Sequence, residues 1–192
     1  MQINISNPGF ETNLPAYCLG SRRGMAVWMQ GCTVGCKKCT SPHTWNKSRG
    51  KLIDVAALLE IAIKENQARL TISGGEPLEQ PEATTDLAKS FRLAMGDDFE
   101  IVLYTSYDFK DIPKAIIDNC DVVITGKYES ELKPNPLAGS TNQIVHCLTP
   151  LAKALYVDWQ NWPMHQTKLV ITQSKEHMHF VTIGIPKKKD LL

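Results

Sequence analysis

Four short, nearly unbroken apolar runs punctuate the chain: Met25-Ala26-Val27-Trp28-Met29, Leu70-Thr71-Ile72-Ser73, Ile101-Val102-Leu103-Tyr104 and Val122-Val123-Ile124. Apart from Leu70-Thr71-Ile72-Ser73, they lack the strict apolar–polar alternation of a strand with one wet face, and together they read as strands buried on both faces. Segments of helical period lie between them. After Asp54, a good N-cap, Val55, Leu58, Leu59, Ala62 and Ile63 recur at helical spacing. Pro81 suits the first turn of a second helix, whose apolar face is Leu87, Ala88, Phe91, Ala94 and Met95 and which Gly96 stops. Residues 112–120 read as a short third helix. Strands of this kind alternating with helices predict an α/β fold, a parallel sheet covered by helices.

Length limits how far such a sheet can close. A complete eight-unit barrel takes about 250 residues, roughly 30 per strand–helix unit. Residues 25–148 have room for about four units on that scale. The expectation is an open partial (βα) barrel with mostly parallel strands. Residues 168–172 and 180–183 are β-rich runs around a polar turn at 173–176, which predicts a C-terminal β-hairpin. Residues 1–150 are expected to form the barrel domain with an N-terminal lead-in. Residues 151–192 are expected to form an extension packed on the same domain.

The charge balance excludes some partners. With a net charge of +1 there is no electrostatic case for nucleic acid or an anionic membrane. The pair Arg22-Arg23 and the tail Lys187-Lys188-Lys189 read as solvated surface. No apolar run approaches the roughly 20 residues that span a bilayer, and no signal-peptide core follows Met1. The chain is expected in the cytoplasm, where thiols stay reduced.

Cysteine then becomes informative. Cys32, Cys36 and Cys39 form a C-x3-C-x2-C loop directly after the first apolar strand. Ligands in α/β sheets bind beyond the carboxyl ends of strands, so three thiolates stand at the functional end of the fold. Gly31 and Gly35 let the loop wrap closely. Three thiolates on a four-iron cube leave one iron without a protein ligand, whereas electron-transfer clusters usually close it with a fourth Cys. Zinc is the competing reading, with His43 or Cys18 as fourth ligand. Cys18, Cys120 and Cys147 lack cluster spacing and read as ordinary core or surface thiols.

Gly74 stands thirty-five positions beyond Cys39, in Ser73-Gly74-Gly75-Glu76-Pro77, at the end of the next predicted strand. The two motifs together resemble the radical S-adenosylmethionine superfamily. Several segments are similar to the anaerobic ribonucleotide reductase activating proteins, a group of glycyl radical enzyme activases. They are Val27-Trp28-Met29-Gln30-Gly31-Cys32, Thr44-Trp45, Ile72 through Leu78, Asp121 through Tyr128, and Gly139-Ser140-Thr141-Asn142-Gln143. Lys38 stands where the superfamily often has an aromatic residue, and the activating proteins often lack one too. Thr125 and Ser106 replace an Asp and a Gly common in that group.

The resemblance implies a mechanism. Cys32, Cys36 and Cys39 hold three irons of a [4Fe-4S] cluster. The amino and carboxylate groups of S-adenosylmethionine chelate the fourth. One electron from the cluster cleaves the cofactor to methionine and a 5′-deoxyadenosyl radical, which removes hydrogen from a substrate. Gly74 and Gly75 admit close backbone approach, and Glu76 accepts from the cofactor's ammonium or serves as a local cap. Thr105 and Ser106 offer hydroxyl or carboxylate contacts, Lys127 pairs with the cofactor carboxylate or faces solvent, and Lys38 and Thr40 lie near adenine through their backbone. The implied partners are a glycyl radical enzyme or other protein or peptide substrate, and a flavodoxin- or ferredoxin-type reductant. A peptide or small-molecule substrate is the second reading, and an iron–sulfur or zinc-binding interaction module the third. Trp28 and Trp45 read as core packing. Trp159 and Trp162 either pin the C-terminal extension or dock a partner, and His177 and His179 read as surface residues.

Overall fold

The computed structural model describes residues 1–164 together with the backbone of two strands, 168–173 and 178–183. In chain order the elements are β1 (Gln2–Leu14), β2 (Gly24–Met29), β3 (Lys51–Asp54), α1 (Val55–Lys64), β4 (Arg69–Gly74), α2 (Pro81–Met95), β5 (Glu100–Tyr104), α3 (Lys114–Ile117), β6 (Val122–Thr125), β7 (Ile144–Cys147), α4 (Pro150–Leu155), β8 (Lys168–Gln173) and β9 (Met178–Ile183).

The four apolar runs form the centre of a seven-stranded sheet of order β3-β1-β2-β4-β5-β6-β7. Within it β2, β4, β5 and β6 are parallel neighbours. Each crossover steps the same way along the sheet. Because such crossovers are right-handed, α1, α2 and α3 fall on one face. That face buries Leu58, Ala62, Leu87, Ala88, Phe91 and Ile116 against Val27, Met29, Leu70, Ile72, Ile101 and Leu103. Each such side chain stabilises the fold by roughly 1.5–3 kcal/mol when fully buried. On the other face Val102, Val122 and Ile124 pack on Leu137, Ala138, Ala152 and Tyr156, with Trp159 and Trp162 behind them. Both faces are covered, which is why these strands are continuous apolar runs.

The sheet is mixed rather than parallel. The pairs β1–β2, β1–β3 and β6–β7 are antiparallel. The long β1 was not legible because its register slips between Ile5 and Phe10 and again between Glu11 and Leu14, which breaks the alternation. The four-residue β3 and β7 exist by pairing with neighbours rather than by their own pattern. Three helix details also differ. Asp54 occupies the N-cap of α1 but its side chain makes no cap bond. Ile63 is 55% exposed, and Ala94 is exposed. The third helix shrinks to one turn, preceded by a 3-10 turn at Phe109–Asp111. The strands β8 and β9 pair antiparallel in a sheet of their own. The residues between them, His177 and the Gly184–Lys189 tail lie outside the described residues, as does the side chain of His179.

Two buried charge systems brace the end of the sheet away from the cysteine loop. Asp121 accepts from the Ile101 N–H (2.8 Å), Thr149 Oγ1 (2.7 Å) and Arg92 Nη2 (2.5 Å). Glu100 accepts from the Ser21 N–H and hydroxyl, the Arg22 N–H and the Tyr156 hydroxyl. Fully buried Arg69 lies beside it in register on β4. No helix among the described residues is long and apolar enough to cross a membrane.

Candidate functional site

The cysteine loop leaves the C-terminal end of β2 and is fastened on both sides. On one side the Gly31 N–H donates to Thr44 O (2.7 Å) and the Cys32 N–H to Trp45 O (3.1 Å). On the other, the Gly75 N–H donates to Met29 O and the Glu76 N–H to Gly31 O, both at 2.8 Å. Side chains complete the fastening. Glu79 accepts from the Thr33 N–H and, at 2.6 Å, from its hydroxyl. Lys127 Nζ donates to Val34 O (3.1 Å), and Lys37 and Lys38 both meet Glu131. Gln80 Nε2 bridges Asn4 O and Gln30 O, both at 2.9 Å, tying β1 to the chain leaving β2.

Backbone N–H groups stand near the three sulfurs, and one makes a hydrogen bond of defined geometry, Ser41 to Cys39. Val34 serves Cys32, Tyr128 serves Cys36, and the Ser41 N–H lies 3.4 Å from the sulfur of Cys39. Burial pushes the thiols of Cys32 and Cys36 up, and those N–H groups pull them down. Hydrogen bonds of this kind favour the thiolate and tune cluster sulfurs. Among the described residues no three His, Cys, Asp or Glu side chains converge as a single-ion site requires. Zinc draws its donors to about 2.0–2.3 Å around one point. A four-iron cluster asks less, because each thiolate meets a different iron. The donor set therefore fits a cluster. Cys18 packs with Leu14 and Ala26 away from the loop, and His43 is exposed.

The glycines of the second motif are required by chain packing. A Cβ on Gly74, whose φ is +105°, would stand 2.5 Å from Met29 N. One on Gly75 would stand 2.3 Å from Gly31 O. Side-chain-free backbone thus lets β4 end directly against the cysteine loop. Glu76 follows, 1% exposed. Its Oε1 accepts from the Leu78 N–H (3.0 Å) and the Thr105 hydroxyl (2.7 Å), and its Oε2 from the Ser106 N–H (2.8 Å). Burial pushes its carboxyl above the usual range, opposed by those donors. The Ser106 hydroxyl also pulls this carboxyl down. An open cleft of about 290 Å³ lies alongside, lined by Val34, Ser106, Tyr107, Asp108 and Asp111.

The structure thus brings Cys32, Cys36, Cys39, Lys38, Thr40, Gly74, Gly75, Glu76, Thr105, Ser106 and Lys127 to one end of the sheet. The hydroxyl of Thr105 and the ammonium of Lys127 already bond protein atoms. Thr125 hydrogen-bonds His146 (2.9 Å) on β7. Trp45 is 39% exposed and so is not core, whereas Trp28 packs with Leu14, Cys18 and Ala26. Trp162 lies between Tyr17 and Tyr156, tilted against each, with ring centroids 4.9 Å away. Sequence reasoning missed Glu79, because its place just past the second motif reads as an ordinary helix turn.

A family profile described as a 4Fe-4S single cluster domain matches residues 19–146. The chain belongs to this family. The anaerobic ribonucleoside-triphosphate reductase-activating protein of Haemophilus influenzae is 32% identical over 131 residues, covering 62% of this chain and 84% of that protein. The pyruvate formate-lyase-activating enzyme of Clostridium pasteurianum is 30% identical over 146 residues, covering 65% of this chain and 61% of that enzyme. A shorter match of 72 residues, at 35% identity, links 36% of this chain to 29% of the 7-carboxy-7-deazaguanine synthase of Methanothermobacter thermautotrophicus. The 4Fe-4S family member falls in the radical S-adenosylmethionine activase group, with a [4Fe-4S] cluster and S-adenosylmethionine as its cofactors.

Proposed function

We propose that this chain activates a partner enzyme by installing a glycyl radical on it. The observation that carries the reading is the loop of three cysteines fastened by backbone hydrogen bonds to Gly75 and Glu76 at the carboxyl ends of parallel strands. When bound, the cluster and S-adenosylmethionine supply one-electron cleavage and a 5′-deoxyadenosyl radical.

The residues of the chain have the remaining work. Cys32, Cys36 and Cys39 hold three irons, and the Glu79–Thr33 contact fixes their loop. Glu76 would meet the cofactor's ammonium with a carboxylate that already holds Leu78, Thr105 and Ser106. Gly74 and Gly75 bring β4 close enough for that reach. Ser106 faces the cleft that a partner loop would enter. The Thr105 hydroxyl orients Glu76, and Lys127 either keeps Val34 or turns its ammonium to the cofactor carboxylate. Lys38 and Thr40 lend backbone to the adenine.

The same-direction strand order β2-β4-β5-β6, with α1, α2 and α3 on one face, supports an open partial barrel. An open side is what a protein substrate needs. Residues 1–150 would form that unit and residues 151–192 an extension ending in a hairpin, in a cytoplasmic protein whose donor is of flavodoxin or ferredoxin type. The short similarity to a synthase of a small molecule keeps a small-molecule substrate as the second reading.

Anaerobic reconstitution tests the proposal. The expected result is about four irons per chain, 5′-deoxyadenosine on reduction, and a glycyl radical doublet in electron paramagnetic resonance when a glycyl radical enzyme is added. Tightly bound zinc without cofactor cleavage refutes it. Cleavage with hydrogen transfer to a small molecule and no protein radical selects the second reading.

A further inference from the structure

From Thr12 to Ile53 the chain carries no acidic residue and seven cations: Arg22, Arg23, Lys37, Lys38, Lys47, Arg49 and Lys51. The net charge of the whole chain is only +1, so this is a strong local asymmetry. Five of the seven fall on the cysteine loop and the segment behind it. Lys37 and Lys38 are answered by Glu131. Lys47, Arg49 and Lys51 are exposed and make no ion pair among the described residues. Glu79, the nearby acid, is engaged with Thr33.

The position of these three cations is fixed. A Cβ on Gly31 would lie 3.4 Å from that of Lys47. Lys51 pairs in register with Ile5, itself paired with Met29 at the end of β2. In the sheet order, β1 and β3 lie on one side of β2, and β4, β5 and β6 on the other. The cleft beside Ser106 is on the second side and carries Asp108 and Asp111. The cysteine loop thus stands between a flank with three exposed cations, Glu79 beside them, and a flank that carries Asp108 and Asp111 with Lys110 between them in the chain. On the basic flank the backbone carbonyl of Trp45 accepts from the Cys32 N–H, and the Trp45 side chain is 39% exposed.

We infer that the face formed by Trp45, Lys47, Arg49 and Lys51 is the docking surface for an acidic one-electron carrier protein. This rests on the radical reading above. Cofactor cleavage needs one electron per event, which leaves the carrier's reduced centre and reduces the cluster. That electron must arrive while cofactor and substrate fill the flank of Asp108 and Asp111, so it enters from the other. Transfer needs close approach but no opening of the site. Weak redox encounters bury less than about 1,200 Å², a size that suits one exposed aromatic ring in a ring of cations. Complementary charge steers such encounters and is screened by salt.

The test uses the cluster-loaded protein, an acidic [2Fe–2S] ferredoxin as carrier, and the variant Lys47→Glu/Arg49→Glu/Lys51→Glu. Calorimetric binding of oxidised ferredoxin, which involves no turnover, should weaken about 10- to 100-fold at low salt. Stopped-flow reduction of the cluster by reduced ferredoxin should slow by a similar factor. The difference should vanish at high ionic strength, and reduction by dithionite should be unchanged. The neutral variant Lys47→Gln/Arg49→Gln/Lys51→Gln should fall between. Unchanged ferredoxin binding overturns the inference. So does an equal slowing with dithionite, which would make the segment a support for the cluster. Loss of glycyl radical transfer with normal ferredoxin reduction assigns the face to the activated enzyme and also overturns it. Failure of the parent protein to cleave the cofactor with dithionite refutes the radical reading instead, and leaves the binding measurement to stand by itself.

Discussion

Replacing Glu76 by alanine separates two roles that its carboxylate combines. In the cofactor-free chain the carboxylate joins the end of β4 to the end of β5 through Leu78, Thr105 and Ser106. Hydrogen bonds to a charged acceptor contribute about 1.5–3 kcal/mol each. Against them stands the desolvation of a carboxylate that is 1% exposed, several kcal/mol in effect. Alanine removes both and leaves two peptide N–H groups and a hydroxyl without acceptors, at about 1–3 kcal/mol for each group that water cannot reach. The expected net loss is about 2–4 kcal/mol. For a chain of this size that is a fall in melting temperature of roughly 4–16 °C. Thr105→Val removes one donor and keeps the carboxylate, so it should cost about 1 kcal/mol. Urea unfolding of the cluster-free protein measures both, and 5′-deoxyadenosine yield is followed in parallel. If Glu76→Ala leaves the unfolding free energy within about 1 kcal/mol of the parent while cofactor cleavage is lost, the carboxylate serves the cofactor alone. The clamp reasoning is then wrong.

Three further outcomes follow from the same contacts. Asp121→Ala strands buried Arg92 and the Ile101 N–H and should cost about 3–5 kcal/mol, read by thermal unfolding, with cluster iron per folded chain unchanged. Glu79→Gln weakens the hold on Thr33. It should raise the rate of iron loss to a chelator about tenfold with little change in the melting temperature of the cluster-free chain. Burial holds His146 below its ordinary value, so the neutral ring is favoured in the fold. Its contribution to stability is complete above about pH 6.5 and is lost as pH falls through the lower folded value. His146→Gln should therefore flatten the acid side of the stability profile, measured by urea midpoints at stepped pH.

Three of the four parallel strands were legible because burial on both faces leaves a direct mark, a run without alternation, and β4 by its place before Gly74-Gly75. The end of α2 was legible too, since Gly96 takes a φ of +78° that few other residues tolerate. The antiparallel strands left no such mark. In β1 the register slips erase the period, and in β3 and β7 four residues are too few to show one. At the site, the cysteines, Gly74, Gly75 and Glu76 were visible in the motifs, but Glu79 and the N–H groups near the sulfurs were not. Val34, Ser41 and Tyr128 supply them from the backbone, and residue type says nothing about where a peptide group points. Glu76 shows the same limit differently. Its motif marks it as functional, yet only its partners reveal that it also holds two strand ends together.

The register of β2 on β4 sets Met29 opposite Gly74. The separation between the cysteine motif and the Gly-Gly-Glu-Pro motif is therefore decided across one strand spacing and owes nothing to the length of chain between them. That intervening chain passes through 3-10 turns at Pro42–Thr44 and Lys47–Arg49, then β3 and α1, before it returns. Doubling a flexible loop adds only about 0.6 kcal/mol of closure entropy. Insertions at the exposed turn between α1 and β4 should thus be tolerated without moving either motif. The inter-motif count is free to drift among relatives, while the spacing inside each motif is not.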